Sequence, residues 1–292
     1  MAADGGSDHM TTDPTPDDRP PGTFADAIAA HRERVEEVLP SGDPDEIKKL
    51  YVELGSLIDT AVEGDASEVP ALSFPEIKPV IDAMSSDLVG RILDAGCGPN
   101  PIFSIMLAGR PGNTVVSLDI SFEIVRLAIA RAQREGVRVL GVVGDVEALP
   151  FRASVIDACI CEDTIEHLPD DAKGAEELAR VLTPTGRLIL GTPNKIRLDV
   201  LRAKLRDRLR RNRRPASFYY AASSHLREYT WLTLERVVAP WFTVRGRETV
   251  GWDGGPRARL MTTLVRYWPF RWVGRMVILD AVPRKNADTV TR

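Results

Sequence analysis

Short apolar runs alternate with amphipathic stretches between residues 90 and 194 of the chain. Apolar residues at helical spacing predict helices over Ile102–Ala108, Phe122–Arg134 and Ala172–Leu182. Strands that alternate with helices pair in parallel through right-handed crossovers. The pattern therefore predicts an α/β fold with an open, mostly parallel sheet. The apolar runs assigned to its first five strands are Ile92–Leu93, Thr114–Asp119, Val137–Val143, Val155–Cys161 and Arg187–Asn194.

The region before the sheet is predicted to be helical after a polar beginning. Residues 1–22 are rich in Asp, Pro, Gly and Thr, a composition typical of disorder. Helices are expected over 24–39, after Asp43-Pro44, and over 74–84. We assign residues 23–87 to an N-terminal helical region that is either a brace on the sheet or a lid over a substrate. The apolar stripe of its second helix shows only that one face is covered. This stripe consists of Ile47, Leu50, Leu54, Leu57 and Ile58.

The segment Lys195–Arg214 is predicted to form a basic amphipathic helix, inside a helical insert over 195–227. It holds ten basic residues against two acids. Such a helix can cap an active site, lie on an anionic membrane surface, or contact RNA with help from neighbouring aromatic residues. The pattern favours the first interpretation and leaves the other two open. The apolar stripe consists of Leu198, Leu201, Leu205 and Leu209.

The C-terminal part of the chain contains one more helix and two apolar runs. Thr230 is a candidate N-cap for a helix that ends near Ala239. The apolar runs over 241–250 and 276–282 are predicted strands on either side of a helical insertion over 257–268. This insertion is rich in Arg and aromatic residues, which suits either a wall of a substrate pocket or an ordinary packed hairpin. We assign 88–292 to one domain that includes the insert at 195–227.

Composition narrows the class of protein. The chain has 292 residues, of which 43% are hydrophobic and 27% charged, and this is ample for a core. The net charge of -4 argues against a general nucleic-acid binder, although the segment after Asn194 is strongly basic. The three cysteines, Cys97, Cys159 and Cys161, favour buried thiols in a reducing compartment. With no apolar run long enough to span a membrane and no secretory signal pattern, we expect a cytoplasmic protein.

The stretch Arg91–Pro101 has the residues of a ligand-binding turn. A short buried strand ends at Asp94 and is followed by Gly96-x-Gly98. Glycines allow the backbone to approach a ligand closely, and Asn100 tolerates a left-handed turn. The following helix presents free N–H groups and the positive end of its dipole.

Acidic residues recur where the later strands end. Asp119 follows the second strand, at a position where a carboxylate can accept hydrogen bonds from ribose hydroxyls. Asp145 follows the third strand, and Glu162-Asp163-Thr-Ile-Glu166-His167 follows the fourth. Ligands bind at the carboxyl ends of strands in open α/β sheets. These residues therefore predict one crevice at this edge of the sheet.

With these motifs the chain resembles the class I S-adenosylmethionine-dependent methyltransferases, in the broad group called type 11. The resemblance covers 88–194 well and 228–285 more loosely. It implies a Rossmann-like sheet closed by an antiparallel C-terminal strand, with S-adenosylmethionine as cofactor and S-adenosylhomocysteine as product. Asn100, which conserves the turn chemistry, stands where the family usually has a third glycine.

Strand-end geometry and the family pattern together give the cofactor-binding residues. Asp94, Gly96 and Gly98 are expected around the methionine portion, and Asp119 at the ribose hydroxyls. Asp145 and the backbone of Val146 are expected at the adenine. Each acid has the alternative role of a turn cap. The remaining residues of the predicted cofactor set are Cys97, Asn100, Ile120 and Cys161.

A dinucleotide is the main alternative ligand for such a turn. The dinucleotide pattern G-x-G-x-x-G requires a third glycine, and Pro101 occupies that position here. Asp94, directly before the turn, would repel a pyrophosphate and suits the cationic amino end of S-adenosylmethionine. The sequence therefore favours the methyl donor.

Two histidines are candidate general bases, His225 and His167, because imidazole titrates near neutral pH. Both have the alternative of a structural role, and Asp163 and Tyr229 are lesser candidates. No ligand cluster with metal spacing is visible, so a metal-independent reaction is expected.

The sequence thus predicts O- or N-methylation of a small molecule, a specialised metabolite. Alternatives are a lipid or quinone-like acceptor reached through peripheral membrane contact of 195–214, an RNA methyltransferase, and a non-catalytic binding protein.

Overall fold

A computed structural model describes residues 23–70, 77–198, 200–202, 205, 225–251, 263, 267 and 270–284. Its seven strands form one sheet in the order β3-β2-β1-β4-β5-β7-β6. Strand β7 runs antiparallel to both β5 and β6, and the pairs among β1 to β5 are parallel. The predicted sheet with an antiparallel C-terminal strand is confirmed. The strands are β1 (Gly90–Ala95), β2 (Asn113–Asp119), β3 (Leu140–Val143), β4 (Ile156–Glu162), β5 (Leu182–Pro193), β6 (Phe242–Val250) and β7 (Met276–Pro283).

Helices cover both faces of the sheet, and several begin at the residues that the sequence indicated. Asp43 caps α2 by accepting hydrogen bonds from the N–H groups of Asp45 and Glu46. Ser121 caps α5, and Thr230 forms a capping box at α7. Such caps satisfy N–H groups that have no partner within the helix. The helices are α1 (Phe24–Val38), α2 (Pro44–Ala61), α3 (Ile77–Met84), α4 (Ile102–Ala108), α5 (Phe122–Arg134), α6 (Asp171–Val181) and α7 (Trp231–Val238).

Two strands begin three or more residues away from their predicted starts. Strand β3 begins at Leu140 rather than Val137, because the Val137 N–H donates to the carbonyl of Ala132 and closes the end of α5. Strand β5 begins at Leu182 rather than Arg187. Its register against β4 shifts between the pairs Ile156–Leu182 and Ala158–Arg187, so residues 183–186 form an irregularity within the strand.

Separate clusters of buried side chains hold the layers together. One cluster joins the sheet to α6 and α7 through residues such as Leu178 and Leu234. Another joins the opposite face to α3 and α4 through Ile81 and Leu107. A third cluster packs α1 and α2 on α5. The N-terminal helices therefore lie beside the edge of the sheet that carries β2 and β3.

The insert after β5 is described only at its two ends. The Lys195 N–H donates to the carbonyl of Tyr229 at 2.7 Å, which joins the start of the insert to the chain that follows it. Arg197 and Val200 are buried, whereas Leu201 and Leu205 are 41% and 58% exposed. Two members of the predicted leucine stripe, Leu201 and Leu205, thus face solvent, whereas Leu198 is half-buried. The remainder of 195–214, most of the helix predicted over 257–268, and 1–22 lie outside the described residues.

Cys97, Cys159 and Cys161 are buried with free thiols. Across the described part of the chain, no helix has both the length and the apolar character needed to cross a bilayer.

Candidate active site

The turn after β1 is closed on one side and open on the other. Gly96 has φ +79°, and a Cβ there would lie 2.2 Å from Oγ1 of Thr164. Gly98 has φ +63°, and a Cβ there would meet nothing within 4 Å. The N–H groups of Gly96 and Cys97 donate to the carbonyl of Leu118, at 2.8 and 2.9 Å. The turn is thereby fixed to the end of β2, and its free face at Gly98 borders open space that a ligand can fill.

Asp94 lies under this turn and binds the helix that follows. One carboxylate oxygen accepts hydrogen bonds from the Ser104 N–H at 3.1 Å and the Ser104 hydroxyl at 2.6 Å. Burial raises the pKa of Asp94 to about 6, against the opposing effect of these two hydrogen bonds. In the structure Asp94 therefore orients the first turn of α4. A direct contact of Asp94 with a ligand remains a prediction.

Asp119 connects the open side of the turn to α5. Its two oxygens accept hydrogen bonds from the Gly98 N–H at 3.2 Å and the Ser121 N–H at 3.1 Å. Burial raises the pKa of Asp119 to about 6, although its backbone hydrogen bonds lower it. The carboxylate is half-buried beside the free face of Gly98, where a hydroxyl-bearing ligand can reach it.

The other residues of the predicted cofactor-binding set differ in the exposure of their side chains. Asn100 is 7% exposed, and Ile120 is half-buried next to Asp119. Cys97, Cys161 and Val146 are buried, and Cys161 and Val146 belong to the core cluster under α6. The side chains of these two point into that core, so a ligand can reach them through their main chain.

Asp145, predicted at the adenine end, is bound by a residue that the sequence did not reveal. Lys48 of α2 lies 2.7 Å from a carboxylate oxygen of Asp145 and 2.6 Å from one of Glu147. The other Asp145 oxygen accepts a hydrogen bond from the Glu147 N–H at 2.8 Å. The N-terminal helical region therefore reaches the crevice itself. Lys48 is one of two adjacent lysines on α2, and no local pattern distinguishes it from Lys49.

The two candidate bases, distant in sequence, lie side by side. The Leu226 N–H donates to the carbonyl of Glu166 at 3.0 Å, which places His225 next to His167 with ring centroids 4.9 Å apart. Burial, and to a smaller extent the charge of Arg197, lowers the pKa of His225 to about 4. Its buried Nδ1 has no hydrogen-bond partner among the described residues. His225 is therefore a neutral imidazole at neutral pH.

Three acids accompany the histidines after β4. Glu162, Asp163 and Glu166 each have one buried carboxylate oxygen without a hydrogen-bond partner in the described part of the chain. Burial and mutual repulsion raise the pKa of Glu162 and of Glu166 well above the usual range, and burial raises that of Asp163 to about 6. Asp163 also has a positive φ of 46°, which is uncommon outside glycine. Unsatisfied polar atoms and a rare backbone conformation together make this loop a candidate functional segment.

Part of this group also has the composition of a metal site. Ligand atoms of Glu166, His167 and His225 lie within 4.8 Å of one another. Sequence spacing did not reveal this set, because His225 is brought in by tertiary structure. Tyr229, a lesser candidate base, is instead 3% exposed in the core, with its hydroxyl donating to Asp171 at 2.5 Å.

Comparisons with known proteins agree with this geometry. The family described as "Methyltransferase domain" matches residues 93–190. A ubiquinone biosynthesis O-methyltransferase of Xanthomonas axonopodis pv. citri is 35% identical over 106 residues, which cover 36% of this chain and 44% of that protein. An uncharacterized 37.1 kDa protein in transposon TN4556 of Streptomyces fradiae is 31% identical over 159 residues, covering 54% of this chain and 41% of that protein. The chain thus spans less than half the length of these relatives.

A solved structure shows the same fold over a larger share of the chain. The crystal structure of a SAM-dependent methyltransferase from Aquifex aeolicus matches with a TM-score of 0.50 and 16% sequence identity, covering 82% of this chain and 97% of that one. At this identity the likeness concerns the fold. The family match includes the glycine turn, Asp119, Asp145 and the loop after β4. Over residues 93–190 the chain therefore carries a domain that matches the methyltransferase family.

Proposed function

We propose that the protein uses S-adenosylmethionine to methylate a small molecule, at an oxygen or a nitrogen, in specialised metabolism. The observation that carries the proposal is the pairing of an open glycine turn with Asp119, inside the region that matches the methyltransferase family. The N-terminal helices and the insert over 195–227 would then enclose the acceptor.

The donor fits the residues at the strand ends. Asp119 would accept hydrogen bonds from the ribose hydroxyls, since its carboxylate lies at the free face of Gly98. Asp145 and the backbone of Val146 would bind the adenine, and the turn from Gly96 to Asn100 would border the methionine portion. Bound there, S-adenosylmethionine supplies a methyl group already activated by its sulfonium. The chain's own contribution is to hold the acceptor in line with that methyl group and to exclude water.

A hydroxyl acceptor must also lose a proton, and we propose that the histidine pair receives it. The lowered pKa keeps His225 neutral, with a buried Nδ1 that has no described hydrogen-bond partner. His167 lies beside it, at the end of the loop that follows β4. We assign the general-base role to this pair, and a metal-independent reaction remains our expectation.

A second candidate acceptor is a quinone precursor or lipid at a membrane surface. Two observations favour it: the matching relative from Xanthomonas axonopodis is a ubiquinone biosynthesis O-methyltransferase, and Leu201 and Leu205 are exposed next to a basic segment. A helix with apolar and basic side chains facing solvent binds anionic membranes.

Methyl transfer from radiolabelled S-adenosylmethionine separates these acceptors. The protein is incubated with a panel of hydroxyl- and amine-bearing metabolites, with a prenylated catechol in anionic vesicles, and with RNA. Label in a soluble metabolite supports the proposal, and label in the prenylated catechol, lost on deletion of 195–214, supports the second candidate. Label in RNA contradicts both. Tight donor binding without transfer to any acceptor supports a non-catalytic binding protein.

A further inference from the structure

Glu166, His167 and His225 bring two imidazoles and a carboxylate to one place. A ligand atom of each residue lies within 4.8 Å of a ligand atom of the other two. The Leu226 N–H donates to the carbonyl of Glu166 at 3.0 Å, so a main-chain hydrogen bond holds the segment of His225 against the loop after β4. The group is therefore fixed by the backbone on both sides.

Two donor atoms of this group are buried without a protein partner. Oε1 of Glu166 and Nδ1 of His225 have no hydrogen-bond partner among the described residues. Glu166 is fully buried, so its side chain is removed from bulk water. A polar atom that is buried without a partner is costly, and buried charges in proteins are paired or coordinate metals. These two atoms together indicate a ligand that binds both.

Other atoms of the same side chains already have protein partners. Oε2 of Glu166 accepts a hydrogen bond from the Thr192 hydroxyl at 2.9 Å. The hydroxyl oxygen of Tyr51, on helix α2, lies 2.9 Å from Nδ1 of His167, so Nε2 is the ring nitrogen of His167 that can face an ion. Metal ligands in proteins commonly have such outer partners, which orient them and contribute to affinity. Tyr51 was not part of the site predicted from the sequence.

The donor set indicates the kind of ion. Imidazole suits zinc and other late first-row metals, whereas Mg²⁺ and Ca²⁺ prefer oxygen ligands. Two histidines and a glutamate, with a fourth position left open, form a ligand set that zinc accepts. Ligands at ~2.1 Å from a tetrahedral ion lie about 3.4 Å apart. The three side chains, with ligand atoms within 4.8 Å, need only a short movement to close on such an ion.

We propose that Glu166, His167 and His225 form a zinc site, in which Oε1 of Glu166 and Nδ1 of His225 are ligand atoms. The inference goes beyond the proposed function and does not depend on it, since zinc binding requires neither methyl donor nor acceptor. It has one consequence for that function. Bound zinc takes the imidazole lone pairs that proton removal requires, so zinc should lower kcat of methyl transfer by about 100-fold and EDTA should restore it.

Equilibrium binding of Zn²⁺ to the full chain, first treated with EDTA, tests the site. One zinc per chain is expected, and Mg²⁺ should not compete. Glu166→Gln and His225→Gln should each weaken zinc binding by more than about 10-fold, and Thr192→Val, which removes only an outer partner, by about 10-fold. His31→Gln is the matched control, because it removes a buried histidine outside the group and should leave zinc affinity unchanged. Circular dichroism checks the fold of each variant.

Co²⁺ gives a second readout that needs no variant. Nitrogen and oxygen ligands give bound Co²⁺ a visible absorption without the near-ultraviolet charge-transfer band that a thiolate ligand produces. Two results on the folded, unsubstituted protein overturn the inference: no stoichiometric zinc binding, or a thiolate band that assigns the ion to a cysteine. Unchanged zinc affinity in folded His225→Gln would overturn it as well. One zinc per chain with undiminished methyl transfer would support the site and contradict the general-base role of the histidines.

Discussion

Asp119 is the residue at which the strand, the glycine turn and the following helix meet. Its carboxylate accepts hydrogen bonds from the backbone of Gly98 and of Ser121, the N-cap of α5. A side chain in this position both shapes the turn and presents negative charge to a ligand. Substitution of Asp119 should therefore weaken ligand binding more than substitution of an equally polar residue elsewhere in the chain.

We predict that Asp119→Ala weakens binding of S-adenosylmethionine about 10- to 100-fold, because hydrogen bonds to a charged group contribute roughly 1.5–3 kcal/mol. Titration calorimetry measures the effect, and circular dichroism checks the fold. Asp157→Asn is the matched control, since Asp157 pairs with Arg91 near the other end of β4. Equal affinity losses in the two variants would contradict the assigned role.

The raised pKa values of Asp94 and Asp119, each about 6, predict a pH dependence of donor binding. A cationic donor favours the ionised carboxylates, so affinity should rise as pH increases from about 5 to about 7. Stability of the ligand-free protein should change in the opposite direction. These acids have a higher pKa folded than unfolded, so their contribution is present at low pH and is lost as pH rises through about 6. Titration calorimetry across this range should show a flatter dependence of donor affinity on pH for Asp119→Asn. An unchanged dependence would contradict the prediction.

Residues that follow strands could be predicted from the sequence, whereas residues brought in from other elements could not. Gly96, Gly98 and Asp119 follow apolar runs, and strand-end position alone places them at the crevice. Lys48 and Tyr51 reach the same crevice because α2 packs on α5, a contact that no local pattern encodes. His225 and His167 were each predicted, but their adjacency depends on a backbone hydrogen bond between Leu226 and Glu166.

Helix α2 is held to the rest of the domain by two sets of contacts. Its apolar face packs on α5 through Ile58 and Leu127, and its polar face reaches the crevice through Lys48.

Helix bounds such as those of α4 and α5 were predicted well because caps and periodicity are local. The bounds of β3 and β5 were not, since both depend on pairing with a neighbour.

Lys48→Met should lower the free energy of unfolding by about 1–3 kcal/mol, a value between those of exposed and buried ion pairs. The substitution leaves Asp145 and Glu147 close together without their shared cation. Hydrogen exchange should show faster opening of α2. Lys49→Met, next in the chain but exposed and 3.9 Å from Glu46, should change stability by less than about 0.5 kcal/mol. Equal effects would show that the ion pair does not anchor the helix.

Gly55 lies where α2 meets the cap of α5. A Cβ there would fall 1.9 Å from Oγ and 2.6 Å from Cβ of Ser121. Gly55→Ala should therefore destabilise the protein by about 1–3 kcal/mol, although alanine favours a helix interior by about 1 kcal/mol. Gly109→Ala is the control, since a Cβ there meets its nearest atom at 3.6 Å. Urea unfolding of both variants measures the change in stability. A Gly55→Ala protein that is more stable than the unsubstituted protein would show that α2 does not pack this closely on the cap of α5.

For the whole molecule, strand order explains why the site exists. Strands β2, β1 and β4 are adjacent and parallel, so their carboxyl ends place Asp119, the glycine turn and the acidic loop at one edge. The insert after β5 begins at that same edge, and α2 covers part of it. The acceptor should therefore also contact parts of the chain outside the region 93–190 that matches the family.

Titration calorimetry of the full chain with S-adenosylmethionine is the decisive test of a donor site at the glycine turn. We predict saturable binding of one donor per chain, binding of S-adenosylhomocysteine at the same site by competition, and no binding of a nicotinamide dinucleotide. Folded protein that binds the dinucleotide tightly and shows no heat with either adenosyl compound would contradict it.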